Sequence, residues 1–195
     1  ANDPDADRLA VAVPDPQGDF RILTGNEMGA ILGDACIQHA KAANIPDPLL
    51  VTTIVSSRLL DHMARAAGIP YAETLTGFKW IARKAVEWDG EGNHFLLGYE
   101  EAYGYCPGSV VRDKDGLSAA LLFADIAAHQ KARGQTLLDA LHELYLRHGV
   151  FVSKQHSMAI PGESGDNTTH CQTGGLVALS ARRFAVVFAT SNERE

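Results

Sequence analysis

Three aspartates at alternate positions, Asp3, Asp5 and Asp7, are followed at once by Arg8. In an extended backbone alternate side chains project to the same side, so this spacing predicts three carboxylates converging on one point. Hard anionic oxygens suit a hard divalent cation, and Mg²⁺ in particular keeps part of its coordination for water or a substrate phosphate. The planar guanidinium of Arg8 beside such a site is suited to bidentate phosphate recognition. A D-x-D-x-D start also opens a calcium-binding EF-hand, but that loop needs Gly at its sixth position and a bidentate Glu at its twelfth, where this chain has Arg8 and Pro14. The plainer alternative is a solvated acidic segment with a charge-balancing surface arginine.

A second candidate is the adjacent pair Glu100 and Glu101, between Gly98 and Gly104 at the end of an apolar run. A flexible backbone there can present carboxylates to sugar hydroxyls as hydrogen-bond acceptors, or set them up as a general acid/base pair. Both are expected on an exposed loop, where replacing Glu100 would leave stability unchanged. Ser56 and Ser57 lie on a further loop, but their position reads more simply as that of helix N-caps.

The elements that must hold these residues read as follows. Leu9–Val13 and Asp19–Leu23 predict a hairpin across the turn Pro14–Gly18. Thr24, with Glu27 at the capping-box position, starts a helix to about Ala43 with Met28, Ile31, Leu32, Ala35 and Cys36 on one stripe. A strand Leu49–Val55, a helix from about Arg58 to Ala67, a strand Tyr71–Leu75, a helix carrying Phe78–Ile81 and a strand His94–Leu97 then alternate. Helices over about 117–131 and 136–147 follow, with Val150–Val152 as another strand. Strands alternating with helices imply an α/β fold, a three-layer α/β/α domain with a mixed, largely parallel sheet, preceded by part of a second domain. The expected division is residues 1–45, 46–160, and an atypical, loop-rich or disordered tail over 161–195, whose apolar segment Leu176–Ala189 has no assigned place.

With 195 residues, 46% of them hydrophobic, the chain suffices for one good core. Its 17 basic against 24 acidic residues give a formal charge of -7, without a basic face for a nucleic-acid partner. No apolar run approaches the roughly 18 residues of a membrane span. Cys36, Cys106 and Cys171 show no C-x-x-C spacing, which argues against a thiolate zinc site or disulfide framework and suits a reducing cytoplasm. A functional loop that begins at once, with no strand before it to hold it, reads as a truncated N-terminus.

The stretch Asn2–Ala12 resembles the magnesium loop of the α-D-phosphohexomutases, in particular the branch of phosphoglucomutase-2-like and phosphopentomutase proteins. Thr76–Ile81, Gly98–Tyr105 and Val111–Gly116 resemble loops of that family's third domain, in the same order. The resemblance implies a Mg²⁺-dependent mutase that moves a phosphoryl group between sugar positions through a bisphosphate of the glucose 1,6-bisphosphate type. It assigns Asp3, Asp5 and Asp7 to the metal, Arg8 to the phosphoserine phosphate, Glu100, with Glu101 beside it, to the sugar hydroxyls, and Lys79 to the substrate. It covers residues 1–160. Ala102 stands where the family often has Ser, and neither the Ser-His-Asn-Pro nucleophile run nor the Arg-x-Ser-Gly-Thr phosphate run occurs in the chain. A sugar phosphate is therefore the expected small-molecule partner, the missing domains of the same protein the expected macromolecular one, and the chain alone is expected to be inactive. A metal-dependent phosphatase and a non-catalytic sugar-phosphate module are the rival readings.

Overall fold

The computed structural model describes residues 1–160, 169–180 and 183–191 of the chain. Strands β1 (Ala12–Pro14) and β2 (Phe20–Ile22) pair antiparallel as a short hairpin. Its turn is closed by Asp15, whose carboxylate accepts from the amides of Gln17 and Asp19, both at 2.9 Å. Helix α1 (Gly25–Ala42) starts at the capping box that the sequence predicts, Thr24 and Glu27 each satisfying the other's backbone amide.

The central sheet has the order β4-β3-β5-β6. In it β3 (Pro48–Thr53), β4 (Tyr71–Thr74) and β5 (His94–Glu100) run parallel, and β6 (Gly104–Pro107) returns antiparallel to β5. Helices α2 (Leu59–Ala67) and α3 (Phe78–Gly90) are the two crossovers. Alternation along β3 serves both faces. Leu50 joins the core shared with α1 and α2, whereas Leu49 and Val51 join Phe78, Ile81 and Ala85 of α3 on the other side. Helices α4 (Gly116–Ala132) and α5 (Leu137–His148) complete the first face through Ala119, Phe123, Leu141 and Leu144. The result is the expected three-layer α/β/α arrangement with a mixed sheet.

The expected division after residue 45 falls between α1 and β3, but packing runs across it. Met28, Ile31 and Leu32 of α1 are fully buried in the same core as Leu50 and Leu97. Gly29 lets α1 lie directly on Tyr99, where a Cβ would come within 2.7 Å of the ring. Strand β7 (Val150–Ile160) continues well past the expected Val152 and pairs antiparallel with β8 (Thr169–Ser180), which pairs with β9 (Arg183–Ser191). The stretch read as an irregular tail thus carries strands where it is described, and the Gly/Ser-rich segment 161–168 lies outside the described residues. No described helix is long and apolar enough to cross a membrane.

The α1 contact gives a stability test whose sign opposes helix propensity. Gly29→Ala should gain about 1 kcal/mol as a helix-interior residue, yet overpacking against a buried ring costs about 1–3 kcal/mol. A net loss near 1 kcal/mol is expected in urea unfolding, and a net gain would show that the ring yields freely.

Candidate functional site

Because β3, β4 and β5 are parallel, their carboxyl ends share one edge of the sheet, and the loops leaving them gather there. That edge holds Thr53 at the end of β3 with Ser56 after it, Gly77–Lys79 after β4, and Glu100 at the end of β5 with Glu101 after it. The acidic segment comes to the same edge from outside the sheet. Arg8 forms an antiparallel bridge with Gly104, Leu9 donates its amide to Tyr103 O at 3.2 Å, and Gly116 donates its amide to Ala6 O at 3.1 Å. The approach is close at Gly116, where a Cβ would meet Asn2 Nδ2, Arg8 O and Ala6 O within 2.7 Å. Leu9, expected in the hairpin, serves instead to dock this loop, and its side chain is buried.

The three aspartates share one turn, and Asp3 and Asp7 approach each other, but all three do not gather as alternation predicts. Ala6 takes a left-handed conformation, φ 59°, so the backbone reverses between Asp5 and Asp7 and the extended alternation is lost. Asp3 turns its Oδ1 towards the Arg8 amide at 3.3 Å, and Asp5 is exposed. Asp7 faces Lys114, Nζ to Oδ2 3.2 Å. Among the described residues no three His, Cys, Asp or Glu side chains stand together as a metal ion would need. The donor set nonetheless suits a hard cation, with three carboxylates on one short turn and an ammonium already drawn to one of them. Both Ala6 and Tyr103 (φ 68°) are non-glycine residues with positive φ, and they lie in the two loops that touch.

Lys114 is the residue that sequence reasoning missed. Its ammonium joins Asp7 to Asp113 (3.5 Å) and sits 5.5 Å from the Phe78 ring centre, while its stem lies in the space that a side chain at Gly104 would take, next to Glu100. Burial pulls its pKa down, but the hydrogen bond to Asp7 and the charges of Asp113, Asp7 and Glu100 prevail and hold it above the ordinary lysine value. Partial burial likewise opposes ionisation of Asp7. The Lys114 hydrogen bond and charge, with Asp3 and Arg8 adding, keep that carboxyl below its usual range. The run Arg112–Gly116 was visible as a motif, but a contact between residues 114 and 7 leaves no trace in local spacing. Lys79, expected to assist at the substrate, is exposed on the first turn of α3 with its ammonium 5.4 Å from the Trp80 ring centre.

Glu100 departs from expectation. It is the last residue of β5, not a loop residue, and only 8% exposed. Its carboxylate has no hydrogen-bond partner among the described residues. Burial raises its pKa, the adjacent Glu101 adds to that, and the charges of Lys114 and Arg8 offset it only in part. Glu101 lives differently, its Oε2 accepting from Thr53 Oγ1 and Ser56 Oγ, each at 3.2 Å. Ser56 is therefore not the expected cap of α2, which has no side-chain cap. Ser57 keeps a local role, its Oγ accepting from the Leu59 amide at 3.2 Å.

A buried carboxyl with a raised pKa makes stability depend on pH. In the folded chain Glu100 holds its proton above its ordinary value of 4.5, so its contribution is fully present below that pH and is lost as pH rises through the folded value. Glu100→Gln, which never charges, should therefore gain on the wild type as pH climbs from about 4.5 towards neutrality. Urea unfolding of both chains across that range measures it, and a constant difference would place Glu100 in solvent.

A family model described as phosphoglucomutase/phosphomannomutase, alpha/beta/alpha domain III, matches residues 24–147, which takes in α1 and the whole central sheet. The chain is 38% identical over 158 residues to the phosphopentomutase of Mus musculus, covering 78% of this chain and 26% of that protein. It is 43% identical over 161 residues to a Haemophilus influenzae protein named "Probable phosphomannomutase", covering 82% of this chain and 31% of that protein. The solved N-acetylphosphoglucosamine mutase of Aspergillus fumigatus, in complex with glucose 1,6-bisphosphate, shares the fold with a TM-score of 0.58 at 18% identity, over 82% of this chain and 34% of that one. The chain thus spans less than a third of the length of these curated relatives. With the domain III match covering the sheet that carries Glu100, the chain belongs to the phosphoglucomutase/phosphomannomutase family.

Proposed function

We propose that this chain is the metal-loop and sugar-recognition segment of a phosphosugar mutase, an intramolecular phosphotransferase that interconverts 1-phosphate and 6- or 5-phosphate sugars through a bisphosphate intermediate. The single observation that carries the reading is Glu100, a largely buried residue at the carboxyl edge of the sheet whose carboxylate has no hydrogen-bond partner among the described residues and faces the acidic turn across Lys114. An acceptor that the fold holds in place without a protein donor is free for a ligand's donors, and sugar hydroxyls are donors of the right kind. The names of the relatives, phosphopentomutase and phosphomannomutase, agree with a sugar phosphate as that ligand.

In this reading Glu100 accepts from the sugar hydroxyls and fixes the ring at the edge. Arg8, exposed beside Glu100 and Asp7, meets the phosphoryl oxygens with its guanidinium, and Lys79 approaches from the start of α3. Lys114 holds the acidic turn against the sugar loop. Asp3, Asp5 and Asp7 would hold Mg²⁺, which supplies neutralisation of charge on a transferring phosphoryl group. The chain has no Ser-His-Asn-Pro run to carry the phosphoryl nucleophile, so other domains of the protein complete the site and this chain alone is inactive. A cytoplasmic setting suits the free thiols of Cys36 and Cys106.

Two measurements test this. Glu100→Gln keeps size but removes the charged acceptor, and hydrogen bonds to charged groups contribute roughly 1.5–3 kcal/mol, so affinity for glucose 1-phosphate in an NMR titration should fall about tenfold or more. Equal affinity would remove Glu100 from the sugar site. Calorimetry with Mg²⁺ should show binding that Asp5→Asn weakens, and indifference to that change would remove the acidic turn from metal binding.

A further inference from the structure

Glu100 and Glu101 are adjacent but held in opposite ways. Glu100 is buried and without a hydrogen-bond partner among the described residues, whereas Glu101 is fixed from two sides. Its Oε2 receives Thr53 Oγ1 and Ser56 Oγ at 3.2 Å each, and these two hydroxyls are themselves 2.8 Å apart. Two hydroxyl protons serve three contacts, so either both point at the carboxylate or one hydroxyl relays through the other. On the main-chain side, Glu101 O lies 2.0 Å from where a Cβ on Gly25 would be, so the loop is pressed against the first residue of α1. Asn26, next along, accepts from the Ser57 amide at 2.8 Å and from Tyr99 OH at 3.3 Å, tying the same three segments together.

We propose that Glu101 is a positioning residue that braces the β5–β6 turn against Thr53 and Ser56 at the end of β3, so that Glu100 alone is presented to the sugar. Thr53 and Ser56 belong to the same device, and neither touches the ligand. The inference rests on the sugar-site reading of Glu100. It makes the loop after β3 a determinant of sugar affinity through Glu101.

The test uses the whole chain in five forms: wild type, Glu101→Gln, Glu101→Ala, the pair Thr53→Val with Ser56→Ala, and all three positions combined as Glu101→Ala with that pair. Each is measured by amide hydrogen exchange over Ala102–Gly104 and by NMR titration with glucose 1-phosphate. Glu101→Ala and the hydroxyl pair should each speed exchange in the turn and weaken binding about tenfold, with the combined variant no worse than either, because they remove one shared device. Glu101→Gln should stay within about twofold of the wild type, since an amide oxygen still accepts from a hydroxyl. If Glu101→Gln loses as much affinity as Glu101→Ala while the hydroxyl pair binds like the wild type, Glu101 touches the sugar and the proposal is overturned. Unchanged exchange in both Glu101→Ala and the hydroxyl pair overturns it too, whatever the ligand does. Should the wild type bind no glucose 1-phosphate, the sugar-site reading fails, and faster exchange in those variants still upholds the brace.

Discussion

The contact on which the carboxyl edge depends is the ammonium of Lys114, set between the acidic turn and the sugar loop. Asp3, Asp5 and Asp7 on one side and Glu100 and Asp113 on the other are like charges brought together by the backbone bridge between Arg8 and Gly104. Two like unit charges about 4 Å apart would repel by about 1 kcal/mol in water and by about 4 kcal/mol near a protein surface. A cation at the seam turns much of that repulsion into attraction. Lys114 stands there with its side chain only 17% exposed, and the absence of a side chain at Gly104 leaves room for its stem. Gly116 makes the equivalent allowance for the turn itself, since any side chain would strike the backbone of Ala6 and Arg8.

Two neighbouring glutamates with opposite surroundings are a recurrent way to give one pair of identical groups two tasks. Here the cause is the pleat. Glu100 ends β5 and turns its side chain into the seam beside Lys114, and Glu101, one residue on, points the other way to the hydroxyls after β3. Burial without donors leaves Glu100 reluctant to ionise and hungry for hydrogen bonds. Tyr99, fully buried beneath α1, and Tyr105, stacked on it at 6.4 Å, fix the strand ends from which both glutamates project.

Much of this fold is local and therefore legible in sequence. The capping box at Thr24, the apolar stripe of α1 and the alternation of strands and helices all depend on residues a few positions apart, and each led to the right element. What escaped was long-range. Nothing near Gly29 announces that Tyr99 will lie on it, so α1 read as part of the preceding unit. Glu100 read as exposed because a polar pair between glycines looks like a loop, whereas β5 runs three residues further than expected and takes it into the interior. The convergence of Asp3, Asp5 and Asp7 assumed extended backbone, and one left-handed residue, Ala6, undid it. Lys114 lay in plain view between two aspartates, but its importance is set by residue 7.

The charge balance of the edge constrains which part of a sugar phosphate it can hold. Five carboxylates, Asp3, Asp5, Asp7, Glu100 and Asp113, gather with three cations, Arg8, Lys79 and Lys114, and one of those cations is already engaged by Asp7 and Asp113. Such a surface repels a phosphate dianion unless further positive charge joins it, while its acceptors are well matched to hydroxyl donors. In the proposed reading the hydroxyl face of the ligand therefore goes to Glu100, and the phosphoryl group to Arg8 and the acidic turn. An edge this acidic, in a chain of net charge -7, attracts cations and gains most from positive charge placed against the acidic turn.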